Sequence, residues 1–356
     1  WIGHPNYDEY WKKLAIKERY SDIKIPILQI GGWYDFFTAG TLNNFVGMKE
    51  NGGSELARKY QRAIIGPWTH SFVGKLTYAG NTDYSSTASI DLLEIELAWF
   101  DHWLKEAQNK AELEAPLKLF IMGSNKWRDE YEWPLKRTNF TSWYFHSSGN
   151  ANSAAGFGTL SKEKPDKETP DYFTYNPMCP VPTKGGCNCC DPHIIPWGSY
   201  DQREVEARSD VLVYTSDKLD KPMEVTGPIT VKLFASTDCL DTDFTAKLVD
   251  VYPDGRALNL CDGIIRARYR NSTVKQELLE PNKIYEFTID LWPTSNVFKP
   301  GHKIRVDISS SNFPRFDRNT NTGNNINSDS DLKTANQTVY HETGLLSQII
   351  LPTIPN

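Results

Sequence analysis

Two short apolar runs, each ending in one polar side chain, constrain this chain more than any other feature. Residues Ile25–Asp35 read IPILQIGGWYD, and Ala63–His70 read AIIGPWTH. Ile27, Leu28 and Ile30 predict a buried strand punctuated by Gly31 and Gly32. Ala63, Ile64 and Ile65 predict a second, broken by Gly66 and Pro67. Between them Leu42, Phe45, Val46 and Met48 recur at helical spacing up to Asn51-Gly52-Gly53. Strand, helix, strand is the right-handed crossover of a parallel sheet, and such sheets bind ligands outside the carboxyl ends of their strands. The pattern therefore expects Asp35 and His70 at one rim of one sheet. An Asp followed in the chain by a His is the second half of an α/β-hydrolase triad. The Asp holds the His tautomer and the His serves the nucleophile as base. Taken singly, a strand-end Asp and a loop His are more often structural or solvated than catalytic.

The flanking stretches make the reading specific. HPNYDEYW (His4–Trp11), GGWYDFF (Gly31–Phe37) and IIGPWTHS (Ile64–Ser71) resemble the CocE/NonD acyl hydrolases, relatives of the X-Pro dipeptidyl-peptidases. So do DQREVEARSDVLVYTS (Asp201–Ser216), DTDFTAKLVDVYPDGRA (Asp241–Ala257) and SSSNFPRFDRN (Ser309–Asn319), in the family's order and nearly end to end. The resemblance implies Asp35 and His70 as triad acid and base. It implies the end of a helical cap in residues 1–22, the C-terminal part of an α/β-hydrolase domain in 23–114 and a jelly-roll β-sandwich in 115–356. Phe37 matches a position that lines the acyl pocket, and Trp33, Tyr34 and Trp68, aromatic and adjacent to the pair, are expected around it.

The triad order requires a Ser before Asp35. Only Ser21 lies there, without glycine flanks or a preceding strand, and the chain contains no G-x-S-x-G. WGSYDQ (Trp197–Gln202) follows the His and lacks the second Gly. The nucleophile elbow and oxyanion-hole segment are therefore expected in an N-terminal half outside this chain, from the same gene or a second polypeptide. The chain alone is expected to be inactive.

At 356 residues, 39% hydrophobic and 12% aromatic, the chain can build two cored domains. A net charge of −6 without basic clusters argues against nucleic acid, and no apolar run is long enough to cross a membrane. Ile90, Leu93, Leu97, Phe100 and Leu104 predict one apolar helix face within Ser89–Lys110, capped by Ser86, Thr87 or Ser89. His102, mid-helix, is expected to pack or to face solvent. From LKLFIM (Leu117–Met122) and SWYFHS (Ser142–Ser147) onward, strands follow without helices as far as Val339–Ile350, as in a sandwich or jelly roll. WRDEYEWP, 149–172 and 316–337 are expected as loops, the last over the active site.

Six cysteines include Cys187, Cys189 and Cys190 in GGCNCC. C-x-C-C with only His193 nearby does not have the form of a zinc site. Cys189 and Cys190 match a family Cys pair, open to a strained disulfide or, more plainly, to free thiols packed beside the active site, which fit a reducing compartment such as the cytoplasm. The acidic residues Asp238, Asp241, Asp243, Asp250 and Asp254 do not follow an EF-hand loop. No cofactor or metal is expected. The partners expected are a small acyl ester or amide substrate and the N-terminal half, with a homo-oligomer open.

The implied reaction is acyl transfer to water through a Ser ester. Related α-amino-acid ester hydrolases carry acidic residues just after the triad Asp, where this chain has Phe37 and Thr38. That departure favours an apolar or aromatic acyl group and weakens the X-Pro dipeptidyl-peptidase alternative. Acylases of β-lactam side chains remain open. The other class is a non-catalytic jelly-roll binding module. It predicts no pairing of Asp35 with His70, whereas the hydrolase reading predicts them within hydrogen-bond reach.

Overall fold

A computed structural model describes residues 1–71, 73–109, 114–325 and 328–355. The helices are α1 (Glu9–Leu14), α2 (Thr38–Asn51), α3 (Glu55–Lys59), α4 (Leu92–Lys105) and α5 (Arg203–Glu206). The first strands are β1 (Ile27–Tyr34), β2 (Gln61–Thr69), β3 (Tyr78–Ala79), β4 (Thr82–Asp83), β5 (Leu117–Ile121) and β6 (Lys126–Glu130). Then come β7 (Asn139–His146), β8 (Thr159–Ser161), β9 (Asp171–Tyr175), β10 (Leu212–Ser216), β11 (Met223–Thr237) and β12 (Asp243–Val251). The last are β13 (Ala257–Arg266), β14 (Tyr285–Phe298), β15 (Lys303–Ser309), β16 (Ala335–Glu342), β17 (Leu345–Leu346) and β18 (Gln348–Ile354).

The expected crossover is present: β1 and β2 are parallel neighbours joined by α2 and α3. Gly52 caps α2, as the Asn-Gly-Gly signal predicts, and the Ser54 side chain caps α3 by accepting from the Ala57 N–H. The glycines do not end the strands, however. β1 runs through Gly31-Gly32 to Tyr34, and β2 through Gly66-Pro67 to Thr69. The register explains how. Gly32 pairs with Gly66 and Tyr34 with Thr69, so Pro67 and Trp68 together oppose Trp33. That bulge accommodates a residue without an N–H inside a ladder. Gly32 lies so close to the Trp68 backbone carbonyl that a Cβ there would collide with it. Gly32→Ala is expected to cost about 1–3 kcal/mol through strand displacement, read as a lower urea midpoint at unchanged slope.

β1, β2, β5 and β6 form a four-stranded mixed sheet in that order, parallel as far as β5. Leu117–Met122 thus belongs beside β2 rather than opening the sandwich, and WRDEYEWP contributes β6 rather than a loop. Twelve strands form the second sheet, in the order β13-β12-β15-β10-β8-β7-β18-β11-β16-β17, with β14 on β11 and β9 on β16. Its pairs are antiparallel except β10–β8. The predicted strand Val339–Ile350 is three strands, folded back at Gly344, whose φ of +88° suits a residue without Cβ. One continuous apolar core joins Trp33, Leu42 and Phe45 of the first sheet region to Val231, Phe287 and Val306 of the second.

The predicted apolar helix exists as α4, but Asp91 caps it, not Ser86, Thr87 or Ser89, and its expected end at Lys110 lies outside the described residues. Its apolar stripe faces outward: Leu93, Leu97, Phe100 and Leu104 are 65%, 54%, 53% and 75% exposed. The helix docks through Trp99, which is buried, and Trp103, whose ring lies 4.9 Å from that of Tyr60. His102 stacks edge-on against Trp103, the packing role expected of it. Among the described residues, no helix is long and apolar enough to cross a membrane.

Candidate active site

The register that pairs Tyr34 with Thr69 delivers the next two residues side by side at the carboxyl ends of β1 and β2. Asp35 is buried, 5% exposed, in a tight turn. Its N–H donates to the Gly32 carbonyl at 2.9 Å, and its Oδ1 accepts the Phe37 N–H at 2.9 Å. The Thr38 hydroxyl donates back to the Asp35 carbonyl at 2.7 Å and also contacts the Gly32 carbonyl. One carboxylate oxygen is thereby committed to the turn. The other, Oδ2, lies 3.3 Å from His70 Nδ1. The imidazole is 40% exposed, and its Nε2 makes no hydrogen bond among the described residues. The Phe36 and Phe37 rings stand edge-on to it at 4.8 and 5.5 Å. A carboxylate on Nδ1 and a free Nε2 are the arrangement of a general base whose tautomer is held. A gap of 3.3 Å is within the looser range of such pairs before substrate binds.

The expected pocket residues separate into two groups. Phe37 is exposed beside His70. Trp33, Tyr34 and Trp68 are not pocket walls: all three are at most 1% exposed. The Trp33 indole donates to the Phe120 carbonyl at 2.7 Å, the Trp68 indole to the Ala88 carbonyl at 3.0 Å, and the Tyr34 hydroxyl to the Asn259 carbonyl at 3.2 Å. Strand alternation and the bulge turn these side chains inward, where their polar tips are satisfied by the protein itself. Burial pushes the Tyr34 phenol well above its usual range. Thr38, 1% exposed, spends its hydroxyl on the turn, so its comparison with acidic residues of relatives carries less than that of Phe37.

A cleft of about 460 Å³ opens beside the pair, with Phe36 as the shared wall. Its other walls come from Cys187, Cys189, Cys190, Ile194 and Ile195, and from Trp292, Arg315 and Phe316 across the cleft. The Arg315 guanidinium is buried against Asp262 and lies over the Trp292 and Phe316 rings, 5.2 and 4.9 Å from their centroids. Sequence reasoning passed over Trp292, Ile194 and Ile195. Arg315 sits in the SSSNFPRFDRN stretch, a signal seen without its role.

The cysteines are all free. The acidic cluster is dispersed among partners: Asp241 takes Arg268 and Asn319, Asp243 takes Arg266 and Asn319, and Asp250 takes His302. Asp238 accepts from Asn336, and Asp254 from Arg256. Among the described residues, no group of His, Cys, Asp or Glu is placed to hold a metal ion.

Residues 109–350 match the profile of the X-Pro dipeptidyl-peptidase C-terminal non-catalytic domain, and residues 1–72 that of the X-Pro dipeptidyl-peptidase (S15 family). The chain belongs to the X-Pro dipeptidyl-peptidase C-terminal domain family, whose profile covers most of its length. It is 41% identical to the cocaine esterase of Rhodococcus sp. (strain MB1 Bresler) over 99% of its own length and 60% of that protein's. An aminopeptidase from a marine sediment Thaumarchaeota archaeon superposes with a TM-score of 0.86 at 26% identity, covering 99% of this chain and 59% of that one. A CocE/NonD family hydrolase from Staphylococcus aureus, at 18% identity and TM-score 0.67 over 99% of this chain and 58% of that one, shares the fold. The chain thus spans about 60% of the length of this curated relative.

Proposed function

We propose that this chain is the C-terminal part of a serine acyl hydrolase, with Asp35 and His70 as the acid and base of a Ser-His-Asp triad. The four-stranded sheet reads as the C-terminal part of an α/β-hydrolase sheet and the twelve-stranded one as a jelly-roll domain. The observation that carries the proposal is the Asp35 Oδ2–His70 Nδ1 approach of 3.3 Å at the ends of adjacent parallel strands. A binding module gives no reason for that pairing. The nucleophile and oxyanion hole then belong to a preceding segment. Two surfaces support such a segment: the edge of β1, which pairs only with β2 among the described residues, and the outward apolar stripe of α4. An unpaired strand edge and an amphipathic helix turned outward both call for a covering layer.

In the mechanism, Asp35 keeps the His70 proton on Nδ1. Nε2 then takes the proton of the attacking Ser hydroxyl and returns it to the leaving group. The cleft walled by Phe36, Ile194, Ile195 and Trp292 suits an apolar or aromatic acyl group, held by contact and desolvation. The second reading, an X-Pro aminopeptidase, is favoured by Asp191 at the same cleft, a carboxylate available to a substrate ammonium.

The test is a comparison of this chain with the full-length protein, using p-nitrophenyl acyl esters, an X-Pro p-nitroanilide and a fluorophosphonate label. Full-length protein is expected to hydrolyse esters and take the label, and this chain to do neither. Labelling of this chain would place a nucleophile within it. A preference for the anilide would favour the aminopeptidase, and no reaction from either form would remove the hydrolase reading.

A further inference from the structure

The loop that walls the cleft is stalked. Gly186 and Gly198 exchange backbone hydrogen bonds of 2.7 and 3.0 Å, so residues between them project as one unit. Within it the three cysteines differ sharply. Cys187 points inward, 4% exposed, and its Sγ donates to the Trp33 carbonyl at 3.3 Å. Cys189 and Cys190 turn out to the rim, Cys189 half-buried and Cys190 exposed, with their sulfurs 2.6 Å apart. Cys190 has φ +80°, left-handed backbone that a residue with a Cβ rarely takes. Such a conformation at a rim is an observation from which function is sought, since the surrounding structure must hold it there. Cys190 also borders two clefts at once, one shared with Phe36, the chain neighbour of Asp35, and the other with Thr69 and Ser71, the chain neighbours of His70.

We propose that Cys189 and Cys190 form a reversible dithiol that closes to an intramolecular disulfide by exchange with low-molecular-weight disulfides. The Cys190 thiolate attacks one sulfur of the external disulfide, forming a mixed disulfide and releasing one small thiolate. The Cys189 thiolate then attacks the Cys190 sulfur and displaces the second. Two protein thiols lose two protons and two electrons, and the small disulfide becomes two thiols. The order follows from exposure: Cys190 meets solvent, while desolvation and the adjoining Cys190 sulfur push the Cys189 thiol up to about 11. Burial pushes Cys187 up to about 12, which leaves it a spectator. Adjacent Cα atoms lie about 3.8 Å apart, shorter than the usual span of a protein disulfide of about 4.4–6.8 Å, so a ring of this kind is constrained and easily reopened. That suits a switchable bond rather than a structural one. Its place sets its consequence: closing the ring removes two thiol groups from the cleft wall beside His70 and locks the rim.

The test uses the full-length protein and oxidised glutathione. After exposure, remaining thiols are alkylated in denaturant and the peptide spanning Cys187, Cys189 and Cys190 is weighed and fragmented. It is expected to be lighter by two hydrogens between Cys189 and Cys190, with Cys187 alkylated, and dithiothreitol restores both thiols. Exposed Cys179, with no thiol neighbour, serves as comparison and is expected to keep glutathione. Cys189→Ser is expected to trap glutathione on Cys190, and Cys187→Ser to leave the closure unchanged. Glutathione retained on Cys190 in the wild type overturns the proposal, as does alkylation of both residues, or a bond to Cys187 or to another chain. The readout is a mass, so it stands or falls separately from hydrolysis.

Discussion

Asp35→Asn in the full-length protein is expected to lower kcat for a p-nitrophenyl ester by about 10⁴-fold with little change in KM. The amide is nearly isosteric, and the Oδ1 contact with the Phe37 N–H can persist, so the turn and the fold should survive. What changes is the proton on the imidazole. A carboxylate at Oδ2 accepts from Nδ1–H and leaves Nε2 as the base. An amide NH2 in the same place donates to Nδ1 and moves the proton to Nε2, where it blocks the nucleophile. The loss thus falls on a step that exists only in the transition state, which is why KM is spared. His70→Ala is expected to match it rather than add to it, because the two act as one unit. A kcat within tenfold of wild type in Asp35→Asn would remove Asp35 from the triad.

The second large effect lies far from the cleft, in a buried charge cluster. His341 is fully buried, with Nδ1 3.0 Å from Glu168 Oε2 and Nε2 2.8 Å from Asp171 Oδ2. Both ring nitrogens face carboxylates, so both donate and the ring is an imidazolium. Burial opposes that charge, but the hydrogen bond and attraction of Asp171, with Glu168 behind, outweigh it and raise the pKa above its usual 6.5. Asp171 also receives the Tyr214 hydroxyl at 2.8 Å, the Ser147 hydroxyl at 2.8 Å and the Ala151 N–H at 2.8 Å. Burial works to raise its pKa, yet His341, the Ala151 N–H and the Ser147 hydroxyl hold it below the usual 3.8. His341→Ala leaves two carboxylates without their cation and is expected to cost about 3–5 kcal/mol at pH 6.

The pH dependence gives that prediction its sign. A folded pKa raised above 6.5 means that the His341 contribution is fully present below 6.5 and is lost as pH rises through the folded value. The Asp171 contribution runs the other way, present above 3.8 and lost as pH falls through its lowered value. The gap between wild type and His341→Ala in urea unfolding should therefore be widest between the two and narrow on the alkaline side. A gap that stays constant from pH 6 to pH 9 would mean that packing, not charge, is what the substitution removes.

Local signals made the core of the site legible. Apolar runs of strand length, an Asn-Gly-Gly stop and Asp and His at the run ends sufficed for β1, α2, β2 and the pair that leaves them. The same signals misjudged Gly31-Gly32 and Gly66-Pro67 as strand ends, because local propensity disfavours them in strands while a bulge and a close backbone approach require them. The stripe of α4 was seen correctly as a pattern, but a period says which residues share a face and not what that face meets. The same limit applied to WRDEYEWP, polar by composition yet paired with β5 through its first four residues, Trp127–Glu130.

The sequence by itself determined the crossover, the chain order of Asp35 and His70 and the absence of a G-x-S-x-G elbow. These follow from periodicity, caps and residue identity within short windows. Only the tertiary structure decided that Trp33, Tyr34 and Trp68 are core while Phe36 and Phe37 frame the imidazole, that Leu117–Ile121 joins β2, and that Cys187 is buried while Cys190 is exposed. Each depends on register across strands and on contacts between residues far apart in the chain, and a one-residue shift in pairing would reverse which side chains are buried.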